Sequence, residues 1–326
     1  MAGMSKKPVI QVFALGGTIA MTPGASAGVI PSLSARDLIS AVPGLEELAD
    51  LRAETLVQKG SANLTMPLIA DIMGRIGGCD ADAVIVTQGT DSMEETAFLA
   101  SLLNQSDKPV IFTGAMRTPN QPGADGPANL YDAVLAASDP RLKGVALVMN
   151  GEVHDPWFVA KEHTSSLQAF QAEQGPMATI AEGELHWRRQ CRPRALNLSL
   201  SGEFAPVALV TAVIDDDGRM LDLIADAGYK GVVIEAFGAG HLSEVWADKA
   251  EALAKDMPVI LSTRARGGKI FERSYGYRGA EIDLLSRGLV PAGWLRARKA
   301  RLLLSALLGQ GVTNWKQTFT QVVKSA

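Results

Sequence analysis

Short, nearly unbroken apolar runs alternate with segments of helical period along most of the chain. Residues 9–15, 51–57, 83–87, 109–113 and 144–149 are rich in β-branched and large apolar side chains, and each run predicts a buried strand. Between them, 35–41, 67–76, 93–103 and 129–137 have helical spacing. Ser34, Thr65 and Asp91 or Ser92 stand where N-caps belong, and Glu94 and Glu95 suit the positive end of the third helix. The second half repeats the rhythm, with strands at 207–214, 231–235 and 258–262 and helices at 220–227, 244–254 and 292–308; residues 314–323 close the chain.

Strand–helix alternation predicts an α/β fold of two domains. Each is a mainly parallel sheet flanked by helices, with the active site at the C-terminal ends of the strands. Residues 188–206, with Arg188, Arg189, Arg192, Pro193 and Arg194 followed by a polar stretch, break the rhythm. The expected division is therefore an N-terminal catalytic domain at 1–190, a linker at 191–206 and a C-terminal domain at 207–326.

Composition narrows the class. A length of 326 residues, 47% hydrophobic and 20% charged, is ordinary for a globular protein of two domains. A net charge of −4 without charge runs argues against nucleic-acid binding. No stretch reaches eighteen apolar residues, so no membrane span is expected. Cys79 and Cys191 lack metal or redox spacing, and the N-terminal residues lack a signal-peptide h-region, which together predict a cytoplasmic protein. His154, His163, His186 and His241 form no metal-ligand cluster.

The candidate chemistry lies just past two of the strands. Gly16-Gly17-Thr18-Ile19-Ala20 follows the first, and Thr87-Gln88-Gly89-Thr90-Asp91-Ser92-Met93-Glu94-Glu95-Thr96 ends the third. In an open parallel sheet this edge is where ligands bind. A threonine hydroxyl is a weak nucleophile and needs a base to take its proton. Lys161 is the candidate base, because Trp157-Phe158-Val159-Ala160 would hold its stem away from water, and Asp91 could orient it. The partner implied is a small-molecule substrate.

At these residues the chain resembles the bacterial-type L-asparaginases, the asparaginase/glutaminase amidohydrolases. Leu15-Gly16-Gly17-Thr18-Ile19-Ala20 and Thr87-Gln88-Gly89-Thr90-Asp91-Ser92-Met93-Glu94-Glu95-Thr96-Ala97 are similar to the two signatures of that family. Thr113-Gly114-Ala115-Met116-Arg117, Ala124-Asp125-Gly126-Pro127-Ala128-Asn129-Leu130-Tyr131 and Val159-Ala160-Lys161 fall in its order. The resemblance implies hydrolysis of L-asparagine to L-aspartate and ammonia, with a glutaminase side activity and no cofactor. Thr18 would be the first nucleophile and Thr90 the second threonine, acting with Lys161 and Asp91. Ser61 would bind the α-carboxylate, Asp91 the α-amino group, and Gly89 the substrate. The Ala115 carbonyl would receive the side-chain amide. Glu281 would be an acidic residue that a neighbouring subunit lends to the site, in a homotetramer or homodimer.

Three positions depart from the family pattern. The loop after Thr18 has Val29 where a tyrosine is usual, Ala62 stands in place of a glutamine, and His241 in place of a substrate-contacting asparagine. These changes predict a slower or differently tuned amidohydrolase in which Ser26 or water assists Thr18. They also leave open an amidase for a modified asparagine derivative, or a weakly active amino-acid-binding paralogue. Other motifs carry less. Gly24-Ala25-Ser26-Ala27-Gly28 lacks the strand and helix a nucleophile elbow needs, Gly238-Ala239-Gly240 lacks the rest of a dinucleotide fingerprint, and Asp215-Asp216-Asp217-Gly218 reads as a turn. His154 and His163 read as turn or surface residues, and Arg296, Arg298, Lys299 and Arg301 as a solvated helix side.

Overall fold

Five of the apolar runs lie side by side as parallel strands in the order Asp50–Thr55, Val9–Ala14, Ala83–Thr87, Val110–Thr113, Val145–Met149. The computed structural model describes residues 6–24, 28–190, 196, 198–200 and 203–325. Contacts divide the chain into two compact units, Met1–Leu200 and Ser201–Ala326. Of the segment read as a linker, 191–195, 197 and 201–202 lie outside the described residues.

In the N-terminal unit the central strand Ala83–Thr87 is buried at every position, as a parallel strand covered on both faces must be. The edge strand Asp50–Thr55 instead alternates exposed and half-buried residues. Helices Met66–Gly77, Met93–Leu103 and Gly126–Ser138 connect successive strands. Their start signals are those in the sequence. Ser34 and Asp37 form a reciprocal capping box on helix Ala35–Ser40, and the Thr65 hydroxyl accepts from Leu68 N–H. Ser92 occupies the N-cap of Met93–Leu103 but makes no capping bond; its hydroxyl donates to the Ser61 carbonyl instead, at 2.8 Å.

Two additions were not legible as elements. Glu152–His154, Ala178–Ala181 and Glu184–Trp187 extend the sheet by three antiparallel strands, making eight in all. After Thr18 the chain makes a 3-10 turn, Thr18–Ala20, and then a short hairpin pairing Met21–Pro23 with Val29–Pro31. Ser26 lies outside the described residues.

The chain's second sheet strand pairs on the outer side of its first, and the third pairs on the inner side. The connections therefore reverse direction between Val9–Ala14 and Ala83–Thr87. That reversal is a topological switch point, where the loops leaving two adjacent strands diverge and open a crevice. Both threonine motifs follow these two strands.

The C-terminal unit is a four-stranded parallel sheet in sequence order, Ala208–Thr211, Val232–Ala236, Val259–Thr263 and Val290–Pro291. Helix Glu244–Asp256 buries Trp246, Ala247, Ala250 and Leu253, one stripe at helical spacing. The helix expected from 292 begins only at Ala297, because Ala292 N–H still bonds to the neighbouring strand at the Leu261 carbonyl and a turn closed by Leu295 N–H on the Ala292 carbonyl follows. Lys299 on this helix is buried, so the basic side is not uniformly solvated; Arg301 donates to the Val207 carbonyl at 3.0 Å. Asp216 and Gly218 form the turn into helix Arg219–Ile224, as their spacing suggests. Among the described residues, no helix is long and apolar enough to cross a membrane.

Candidate active site

The strand ends interlock because glycines allow their backbones to touch. Ala14 stands level with both Thr55 and Thr87, and Leu15 N–H continues the ladder to the Thr87 carbonyl at 2.8 Å. Gly17 has φ 83° and ψ −177°, a conformation essentially confined to glycine. A β-carbon on Gly17 would stand 2.0 Å from the Gly89 nitrogen, and one on Gly16 would stand 2.7 Å from the Lys59 nitrogen. A β-carbon on Gly89 would in turn meet the Ser61 hydroxyl at 2.9 Å. Thr18, Ser61, Gly89 and Thr90 therefore sit on three loops held together by backbone contact.

Thr90 is buried at the mouth of this cluster. Lys161 Nζ donates to its Oγ1 at 2.9 Å and to Asp91 Oδ1 at 2.6 Å. The Lys161 side chain is 14% exposed, whereas Asp91 is 75% exposed. The pair therefore adds little to stability, and its effect is to fix where the amine points. Lys161 reaches this position from a two-residue strand, Ala160–Lys161, paired antiparallel with Phe170–Gln171. The run before it is buried as expected at Trp157, Val159 and Ala160, and Trp157 meets Phe98 edge-on at 4.9 Å between centroids. Such an aromatic pair is worth about 0.5–1.5 kcal/mol beyond its burial. It holds the lysine strand against helix Met93–Leu103.

Glu94 holds this lysine in place, a role that its position in the sequence does not announce. Its carboxylate is buried and accepts the Lys161 backbone N–H. The signal was visible only as an acidic residue in a helix's first turn, where a dipole role accounts for it.

The loop carrying Ala115 is clamped from both sides. Asp125 accepts from Met116 N–H at 2.9 Å and Arg117 N–H at 2.8 Å. Asn129, one turn later, donates to the Gly114 carbonyl and to Asp125, both at 3.0 Å, and accepts from Asn150 N–H at 2.9 Å. The spacing of four residues puts both side chains on one helix face, so the clamp could have been read from the sequence. It leaves the buried Ala115 peptide little freedom.

Three hydroxyls at these strand ends stand without partners among the described residues, one of them the buried Thr87 Oγ1. Ser61 Oγ is buried with no hydrogen bond, and the half-buried Thr18 hydroxyl has none among the described residues. Buried polar groups are nearly always satisfied, so an orphan hydroxyl against Gly89 marks a place for a polar ligand atom.

Glu281 lies in the C-terminal unit, at the start of helix Glu281–Ser286. It has no exposed surface. Oε1 accepts from Ser274 and Tyr275 N–H at 2.8 and 2.7 Å, and Oε2 stands 3.2 Å from His241 Nε2. Burial pushes this carboxyl up, but the N–H groups of Tyr275, Ser274 and its own backbone, with the His241 ring, outweigh it. The net result lies below the ordinary value of 4.5.

The other histidines divide. His163 is a turn residue whose Nδ1 accepts from Ser165 and Ser166 N–H. His154 is not at the surface; it is buried, 3.2 Å from Glu152. Its strand joins the sheet edge and is then covered by Ala178–Ala181.

A hydroxyl and an amine in hydrogen-bond contact at the switch point of an open, largely parallel sheet suit a small-molecule site of the α/β class. Comparison with known proteins narrows this to one family. The N-terminal asparaginase domain matches residues 9–192, and the glutaminase/asparaginase C-terminal domain matches residues 206–319. The chain belongs to the asparaginase family of enzymes. It is 32% identical to a probable periplasmic L-asparaginase of Haemophilus influenzae, over 95% of this chain and 91% of that protein. It is 33% identical to L-asparaginase 2 of Escherichia coli, over 93% and 89%. The crystal structure of a probable cytoplasmic L-asparaginase from Campylobacter jejuni matches with a TM-score of 0.85 and 28% identity, over 96% of this chain and 99% of that one.

Proposed function

We propose that the protein hydrolyses L-asparagine to L-aspartate and ammonia by threonine nucleophilic catalysis, with L-glutamine as a minor substrate. One observation carries the reading: a lysine amine 2.9 Å from a buried threonine hydroxyl and 2.6 Å from a carboxylate. In its amine form Lys161 takes a hydroxyl proton as the oxygen attacks the side-chain amide carbon. The proton then goes to the leaving nitrogen, ammonia departs, and water releases the acyl group as aspartate. Thr18 is the first nucleophile and Thr90 the second threonine, with Asp91 holding both Lys161 and the substrate α-amino group.

Ser61, with its orphan hydroxyl, binds the α-carboxylate beside Gly89, and the Ala115 carbonyl receives the side-chain amide. The cluster around Glu281 comes from a neighbouring copy in a homodimer or homotetramer. The reading keeps the protein in the cytoplasm, where a free thiol such as Cys79 persists. Val29 in place of the loop tyrosine, and Ala62, favour a second reading, an amidase for a modified asparagine derivative.

Ammonia release from L-asparagine tests the proposal, with Thr90→Val as control. Saturable release that vanishes in the variant supports it. No release, with tight L-aspartate binding by calorimetry, would replace it by a binding protein. Neither turnover nor binding would point to the derivative amide.

A further inference from the structure

After strand Val145–Met149 the chain reverses through two residues, Asn150 and Gly151. Their φ angles are 50° and 74°, and Met149 stands level with Glu152 across them. Two positive φ values in a two-residue hairpin loop are the pattern of a type I′ turn, which favours asparagine followed by glycine. Hydrogen bonds leave this turn in two directions. In one, Asn150 N–H donates to Asn129 Oδ1 at 2.9 Å, and Asn129 Nδ2 donates to the Gly114 carbonyl at 3.0 Å. That arm ends on the peptide that leads into Ala115.

The other arm ends at Lys161. Asn150 Nδ2 donates to Gln168 Oε1, and Gln168 Nε2 donates to Glu152 Oε2 at 2.6 Å. One amide is therefore gripped at both ends by a single hairpin. Ala169, the next residue, accepts from Glu162 N–H at 2.7 Å, and Phe170 pairs with Lys161. Ala169 and Phe170 are buried, so the strand beside Lys161 is fixed where Gln168 is fixed. Glu94 holds the same lysine strand from its helix, and Gln168 holds its partner strand from the hairpin.

Chemistry dictates which way the amide points. The buried His154 ring stands 3.2 Å from Glu152 and, with smaller help from Gln168 and Arg188, outweighs burial and holds this carboxyl below its ordinary value of 4.5. An ionised carboxylate only accepts, so Gln168 must turn its nitrogen to Glu152 and its oxygen to Asn150. We propose that Gln168 is a positioning residue that ties the Lys161 strand to the turn steadying the Ala115 peptide, and so governs the chemical step more than substrate binding. The inference rests on the reading given above, in which Lys161 is the base and the Ala115 carbonyl receives the side-chain amide.

Steady-state ammonia release from L-asparagine by the full chain tests this. Gln168→Ala frees the strand beside Lys161. It lowers kcat about 10- to 100-fold and leaves KM within about threefold, because a small misplacement of a reacting group slows chemistry without removing binding contacts. Gln168→Glu keeps the size of the side chain but sets a second carboxylate against Glu152, and it reproduces the loss. Adding Glu152→Gln exchanges carboxylate and amide across the same contact, with a neutral His154 ring able to accept from the new amide. The double variant returns kcat to within about threefold of wild type. Wild-type kcat in Gln168→Ala overturns the inference alone, as does a raised KM with kcat kept. A double variant no faster than Gln168→Glu also overturns it, and this isosteric comparison decides the matter even where Gln168→Ala melts early. Wild-type protein that releases no ammonia overturns the functional reading and this inference together.

Discussion

Gly17 and Gly89 touch backbone to backbone: a β-carbon on Gly17 would lie 2.0 Å from the Gly89 nitrogen and 2.3 Å from its α-carbon. The residues following these glycines are Thr18 and Thr90, so one contact sets the spacing between both candidate hydroxyls. Gly17→Ala must either leave its glycine-only conformation or push the Gly89 loop away. Backbone strain alone costs about 1–3 kcal/mol, and the clash adds to it. The expected outcome is a lower Tm in thermal denaturation and ammonia release at background level.

Lys161→Arg separates charge from basicity. A guanidinium keeps the ion pair with Asp91 but stays protonated and cannot accept a proton from threonine. Loss of general-base function lowers kcat by roughly 10²–10⁴-fold. Because Asp91 is mostly exposed, the pair itself contributes little stability, and Tm moves little. An Arg variant with wild-type kcat in the ammonia assay would exclude Lys161 as the base.

Val29→Tyr restores a phenol to the hairpin after Thr18. Val29 is 43% exposed and pairs with Pro23, so the larger ring meets no core. If Thr18 is the first nucleophile as proposed, a proton-handling group beside it raises kcat/KM by at least about tenfold. Unchanged kcat/KM would show that the missing tyrosine does not limit this enzyme.

Glu281 links acid stability to the C-terminal cluster. Its carboxyl titrates below 4.5 in the folded unit, where backbone N–H groups and His241 hold the ionised form. A depressed carboxylate adds stability that is fully present above the unfolded-state value and is lost as pH falls through the folded one. Thermal melts of wild type and Glu281→Gln should therefore differ by a constant amount from pH 7 to about 5. The gap should narrow below that. A gap that widens on acidification would contradict the hydrogen bonding described.

Much of this architecture is written in local pattern. The strands at Val9–Ala14 and Ala83–Thr87, the capping box at Ser34 and the cap at Thr65 follow from side-chain period and capping chemistry, which act within a few residues. The strings around Thr18, Thr90 and Lys161 also stand out in the sequence, because their glycines and hydroxyls interrupt apolar runs.

Tertiary structure alone decided which of these groups meet and which are hidden. Lys161 reaches Thr90 across 71 residues, and Glu94 holds it there from across 67. Both depend on a two-residue strand too short to have a period of its own. The three antiparallel edge strands are likewise short, and pairing partners from elsewhere define them. His154, Lys299 and Glu281 are polar residues that sequence places at the surface by default, yet neighbouring elements cover all three. Period and capping report a residue's immediate neighbours, whereas burial and proton partners are set by chain segments brought together only when the sheets close.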